Sequence, residues 1–270
     1  MTRLRCLLLL VLLAARLPAA DETTVLAVDA AGLTRGTEPR PAAVFTGASS
    51  LLLPISGLQP TAGTLELYLQ PAADTGDAVL PLFSLGTNAP LWWLLTLQGR
   101  ELSLLCENQG AIKLPGSYYV RLTAKLPAAP ADAPLHLAIV WAALGEGQSL
   151  VQLYVNGRLR DARDNATLAP SFGTVTRFGL GCNTANARQP GFVGRLYYAA
   201  TANRPLAPAT LAAHYAELQQ GRPPAFAAEN LLQLDFQTDL NARAATRAPL
   251  TAPELDAAVR AIRESLAAAP

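Results

Sequence analysis

The chain has 270 residues, with 21 basic against 20 acidic side chains, a hydrophobic fraction of 51% and 15% charged residues. That length suits one large all-β domain plus a short extension. A charge so near neutrality, without a basic run, argues against neutralising a row of phosphates and so against a nucleic-acid partner.

Residues 1–20 read as a secretory signal peptide. Arg3 and Arg5 precede nine apolar residues (7–15), and the small residues Ala19 and Ala20 follow. The run is too short to span a bilayer, and cleavage is expected after Ala19 or Ala20. Losing Arg3, Arg5 and Arg16 leaves 18 basic against 20 acidic residues, a mature charge of about −2. No later segment has the length of a membrane span, so the mature chain is expected to be secreted or periplasmic. Cys106 and Cys182 then form an even pair in an oxidising compartment, which leaves two outcomes open: a disulfide, or two buried free thiols.

Short apolar runs broken by Gly, Pro, Asn and Asp follow. Residues 43–54 predict two strands around a Gly47 turn. Residues 64–69 alternate strictly, with Leu65, Leu67 and Leu69 on one face and Thr64, Glu66 and Tyr68 on the other. Residues 79–85 predict a strand in which Pro81 marks an edge or a bulge. Residues 92–97 and 101–105 predict a hairpin turning near Gly99, and 118–122 a further strand. After an Ala/Pro-rich loop at 125–134, residues 136–142 and 150–158 predict the next pair. Asn156-Gly157 tolerates positive φ at both positions and predicts a tight turn into a short return strand at 158–160. Residues 174–182 and 191–199 complete the sheets.

Two helices are predicted. Residues 208–220 carry Leu211, Tyr215 and Leu218 on one face, with Pro208 in the first turn and Gly221 at the stop. Residues 253–268 follow a Thr251–Glu254 capping box and carry a stripe of Leu255, Val259, Ile262 and Leu266. Between them, 231–236 alternates and predicts an edge strand. The expected division is a signal peptide at 1–20, a main domain at 21–222 and an extension with a strand and an amphipathic helix at 223–270.

Several segments resemble the laminin-G-like jelly roll of the concanavalin A-like lectin/glucanase superfamily. They are AVFTGASS (43–50), GTLELYLQP (63–71), HLAIVW (136–141), LYVNG (153–157) and GFVGRLYY (191–198), followed by a helix near 208. The likeness covers roughly residues 40–220. Gly194-Arg195 stands where an acidic residue often precedes the last strand, and Ala207 stands in place of the usual helix cap. The resemblance implies an all-β fold, two antiparallel sheets packed as a jelly-roll sandwich, with short C-terminal helices. It also implies a sugar- or protein-binding module, in some members with calcium.

The chemistry-bearing residues are sparse. Calcium needs several converging oxygens. Asp161, Asp164 and Asn165 in one loop, with Asn183 and Asn186 in another, form no close acidic run and read first as turn residues. Glu101 and Glu107 share a strand face but stand about 20 Å apart at about 3.3 Å per residue, unlike the carboxylate pair of a glycosidase. His136 reads as a hydrogen-bonded structural histidine and His214 as a packing or surface residue. No zinc spacing and no catalytic triad pattern is present. The binding candidates are therefore aromatic, because sugar C–H faces stack on flat rings: Trp92, Trp93, Tyr118 and Tyr119, with one of each adjacent pair expected in the core. The expectation is a non-catalytic exported module with a glycan partner, without a cofactor unless calcium serves. The alternative is a protein-interaction or cell-envelope structural module that docks an extracytoplasmic protein on the sheet edge or on the stripe of helix 253–268, and a diverged hydrolase comes last.

Overall fold

The computed structural model describes residues 24–26, 29–31, 34–36, 40–73, 76–86, 91–108, 119–127, 133–144, 149–166, 168, 172–173, 175–186, 188–236, 242–245 and 248–267. The segment read as a signal peptide and Tyr118 lie outside them. In chain order the elements are β1 (Thr24–Leu26), β2 (Asp29–Ala31), β3 (Thr34–Gly36), β4 (Ala42–Thr46), β5 (Ser50–Pro54), a 3-10 turn (Ile55–Gly57), β6 (Ala62–Pro71) and β7 (Val79–Leu85). There follow β8 (Leu91–Gln98), β9 (Glu101–Asn108), β10 (Tyr119–Lys125), β11 (Leu135–Ala142), β12 (Ser149–Val155), β13 (Arg158–Ala166), β14 (Arg177–Leu180) and β15 (Val193–Ala202). The chain continues with α1 (Pro208–Gln219), β16 (Asn230–Asp235), β17 (Ala242–Ala244) and α2 (Ala252–Ala267).

The strands form two antiparallel sheets packed as a sandwich. Sheet A runs β1-β17-β16-β15-β6-β11-β12-β13, with β4 also pairing β15 and β3 pairing β4. Sheet B runs β10-β9-β8-β7-β14-β5-β2. The core between them takes one face of each strand, as period-2 alternation requires. Leu65, Leu67 and Leu69 of β6 enter it together with Leu137 and Ile139 of β11, Leu95 of β8 and Leu104 of β9. Thr64, Glu66 and Tyr68 take the opposite face, as their parity predicts, yet each is at most 3% exposed.

The helices cause that burial. The outer face of sheet A is lined with small residues, Ala62, Ala138, Ala142 and Ala202, and the helices settle close on it. Leu211 of α1 and Leu255, Val259 and Ile262 of α2 pack there. The stripe considered as a docking surface is thus an internal contact. The Thr251 N–H donates to the Glu254 carboxylate at 2.8 Å, which makes one half of the expected capping box.

Several local expectations are met. Pro81 sits at a bulge in β7. Asn156 and Gly157 turn β12 into β13 with φ of 52° and 71°. The return strand is longer than the sequence suggested, extending to Ala166. Strand β16 is not an edge: it lies between β15 and β17, and Leu232, Leu234 and the following Phe236 join the inter-sheet core. Cys106 and Cys182 carry free thiols. β9 and β14 are separated by β8 and β7 in sheet B. Three strand steps of about 4.8 Å exceed the roughly 7 Å Cα separation that a disulfide tolerates.

Candidate functional site

The outer face of sheet B carries a cleft of about 400 Å³, bordered by β5, β14 and the segment that follows β14. Gly179 lets two of the lining residues, Cys182 and Thr184, pack down on β14. Phe178 and Leu180 of β14 point into the core, so Gly179 faces outward. A Cβ at Gly179 would stand 2.6 Å from the Cys182 sulfur, 2.9 Å from Thr184 Cγ2 and 3.2 Å from Ser84 Oγ. The chain after β14 therefore folds back tightly over the sheet. Ser84 Oγ donates to the Cys182 carbonyl at 2.8 Å and accepts the Thr184 N–H at 2.9 Å. The Thr184 hydroxyl donates to the Gly86 carbonyl at 2.6 Å. Gly191 N–H donates to the Gly47 carbonyl at 2.7 Å and closes the other end.

Hydroxyls, amides and one guanidinium line the cleft, from Ser50, Thr176, Arg177, Asn183, Thr184 and Gln189, beside the apolar Leu52 and Val175. Such mixed walls hydrogen-bond a polyhydroxylated ligand while covering its apolar edges, and the volume falls within the range of small-ligand sites. Cys182 also borders the cleft. Burial pushes its thiol up to about 11, so it stands protonated at neutral pH and is no nucleophile.

The aromatic candidates divide. Trp93 is 3% exposed and packs edge-to-face on Trp141 at 5.3 Å between ring centroids, so it is the core member of its pair. Trp92, Glu107 and Tyr119 are Cα partners across β8, β9 and β10, one register row of opposite parity to the Trp93–Cys106–Val120 row. In sheet B the row starts on β8, two strands from β14, and runs away from the cleft toward β10. Gly86, whose carbonyl holds Thr184, lies one residue beyond the Leu85–Trp93 pair and hence at the level of Trp92. Tyr197 and Tyr198 do not take opposite faces as neighbours in a regular strand do. A register shift between Leu196 and Tyr198 brings Tyr197 and Tyr198 into one cluster beneath α1.

The weak calcium candidates are occupied by the protein itself. Asp161 accepts the Thr123 N–H and its neighbour's Ala162 N–H, each at 2.9 Å. Asp164 pairs with Arg263 of α2 at 2.9 Å. Asn183 donates to Gln189 at 2.7 Å and accepts the Ala185 N–H at 3.0 Å. Asp161 and Asp164 belong to β13 of sheet A, whereas Asn183 lies beside sheet B, so the three do not converge. Among the described residues no group of three acidic, histidine or cysteine side chains is arranged to hold a metal ion.

A second polar cluster escaped sequence reading. Glu66 on β6 lies buried under α1. His136 Nε2 of β11 is 2.9 Å from its Oε2, and His214 Nδ1 of α1 is 3.0 Å from its Oε1. Burial alone would raise the Glu66 carboxyl; the hydrogen bonds from both imidazoles and their charge outweigh it and hold the group at about 2. Burial likewise lowers His214, and Glu66 more than reverses this, so that His214 titrates above the ordinary imidazole value. His136 is structural, as its apolar strand suggested. His214 is a bonded partner rather than a surface residue.

No family model matches the chain, and no curated protein matches it. Solved structures do. Tailspike protein 2 of an Escherichia coli O157:H7 bacteriophage aligns at a TM-score of 0.56 and 14% identity, over 82% of this chain and 30% of that one. The binding domain of botulinum neurotoxin serotype D/C aligns at 0.52 and 10% identity, over 73% of this chain and 48% of that one. The chain thus spans less than half of either. Domain 4 of an extracellular arabinanase from Geobacillus stearothermophilus, solved with arabinotriose, aligns at 0.48 and 19% identity over 68% of this chain and 81% of that domain. The first two likenesses show the fold.

Proposed function

We propose that this chain is an exported, non-catalytic β-sandwich module of laminin-G-like type that binds carbohydrate in the cleft on the outer face of sheet B. The observation that carries this reading is the cleft itself: hydroxyl, amide and guanidinium groups on a rigid floor. Hydrogen bonding would come from Thr176, Arg177 and Gln189, and Trp92 and Tyr119 stay the aromatic candidates on the strength of the sequence. Hydrolysis of a glycoside needs two carboxylates across the bond; the named lining groups are donors and hydroxyls, which favours binding. Export rests on the pattern of residues 1–20. The protein-docking alternative loses the helix stripe, since Leu255, Val259 and Ile262 pack on sheet A, and keeps the sheet edge.

A glycan array of residues 21–270, run with calcium and with chelator, tests this. Saturable binding is expected, weakened at least about tenfold by Arg177→Ala or Trp92→Ala. A blank from folded protein, or binding indifferent to both substitutions, would reject the cleft.

A further inference from the structure

The Glu66 cluster lies on the face of the sandwich opposite the cleft, and the binding reading makes no use of it. A carboxylate 4% exposed bridges an imidazole fixed in the sheet and an imidazole carried by a helix. His136 is fully buried, and its Nδ1 has no hydrogen-bond partner among the described residues. The Tyr215 ring of α1 stacks on it at 5.9 Å and 18°. His214 is the member open to solvent, with 23% of its side chain exposed. The His214 proton is thus the one that exchanges with solvent, and its loss removes a cation from beside the buried carboxylate.

Besides this cluster, helix α1 is held by Leu211 and Leu218, by the Tyr215 ring on His136 and by an Arg40 hydrogen bond to the Leu218 carbonyl at 3.1 Å. Of its twelve residues only Leu211 and Leu218 are buried, and its N-cap, Ala207, makes no side-chain cap. The other titratable and charged groups around the cluster are mostly acidic or phenolic. Glu217 and Glu229 act on His214, and Tyr198 of β15 faces Glu66. Asp235 also acts on Tyr198, Arg158 on Tyr215, and Arg40 stacks over Tyr68 and Tyr197. None of these replaces the His214 proton as the direct partner of Glu66.

We propose that Glu66, His136 and His214 form a pH-sensitive latch that holds α1 on sheet A while His214 is protonated and loosens the helix when it is neutral. The test is hydrogen exchange of α1 amides from pH 5.5 to 9, corrected for intrinsic rates, beside the NMR titration of the His214 ring. Protection at residues 212–218 is expected to fall about tenfold as His214 loses its proton. Its midpoint should coincide with that titration, while β8 and β9 amides stay unchanged. His214→Gln should remove the slope. Protection in α1 that follows the strands across the range overturns the latch, as does a slope that persists in His214→Gln. Should that variant not fold, the wild-type exchange and titration decide alone: a His214 midpoint at or below the ordinary imidazole value, with α1 protection constant, overturns it.

Discussion

The Glu66 carboxylate stabilises the fold only while it is ionised and opposed by a cation. Its folded value of about 2 lies below the ordinary 4.5, so its contribution is complete above 4.5 and fades as the pH falls toward 2. His214 is raised above 6.5, so its contribution is complete below 6.5 and fades as the pH rises through its folded value. The two windows overlap between 4.5 and 6.5. Glu66→Gln is expected to cost about 3 kcal/mol there, because it removes the buried carboxylate that both imidazoles bond. Urea unfolding at pH 5.5 and pH 9 checks this, the smaller loss falling at pH 9. Gly179 makes a separate prediction. Gly179→Ala should displace the segment over Ser84 and abolish cleft binding while thermal stability falls by only about 1–2 kcal/mol, as seen by calorimetry beside a binding assay.

At the scale of elements, α2 is a structural strut. Ile262 is 1% exposed against the alanine-lined face of sheet A. Ile262→Ala should therefore cost about 3 kcal/mol in denaturant unfolding. Arg263→Ala, which breaks an ion pair about half exposed on both sides, should cost under about 1 kcal/mol. The β12–β13 turn shows how one element positions another. The Asn156 side chain accepts the His136 N–H at 3.0 Å, and a Cβ at Gly157 would stand 2.8 Å from the Ala212 Cα of α1. The turn thus anchors both the strand and the helix that supply the two histidines, and Gly157→Ala should disturb the His214 titration without touching the cluster directly.

At the scale of the whole molecule, sheet order governs the cysteines. Cys106 is 1% exposed, and burial pushes its thiol far above the ordinary value; Cys182 is held protonated at the cleft wall. Residues 21–270 should show two free thiols on unfolding, slow modification of Cys182 alone when native, and an unchanged Tm under reductant. The sequence could raise the pairing but not measure the two strands between the partners. Trp93 and Trp92 present the same limit in miniature. Alternation requires that they differ, and only the facing sheet selects Trp93 for the core. The cleft was legible only in fragments, since Ser50, Ser84, Thr184 and Gln189 come from separate runs and meet through tertiary folding.

What the sequence determined by itself is what short-range physics controls. Period-2 alternation placed Leu65, Leu67 and Leu69 on one face, Asn156-Gly157 specified a turn, and helical spacing marked both helices. Tertiary structure decided what covers each face. Glu66 and His214 are 148 residues apart, and the sheet-to-helix packing makes a surface-looking glutamate the buried centre of a charge cluster. The same packing turns the α2 stripe from an interface into core. Burial is a property of two surfaces meeting, and a single strand or helix carries the pattern for only one of them.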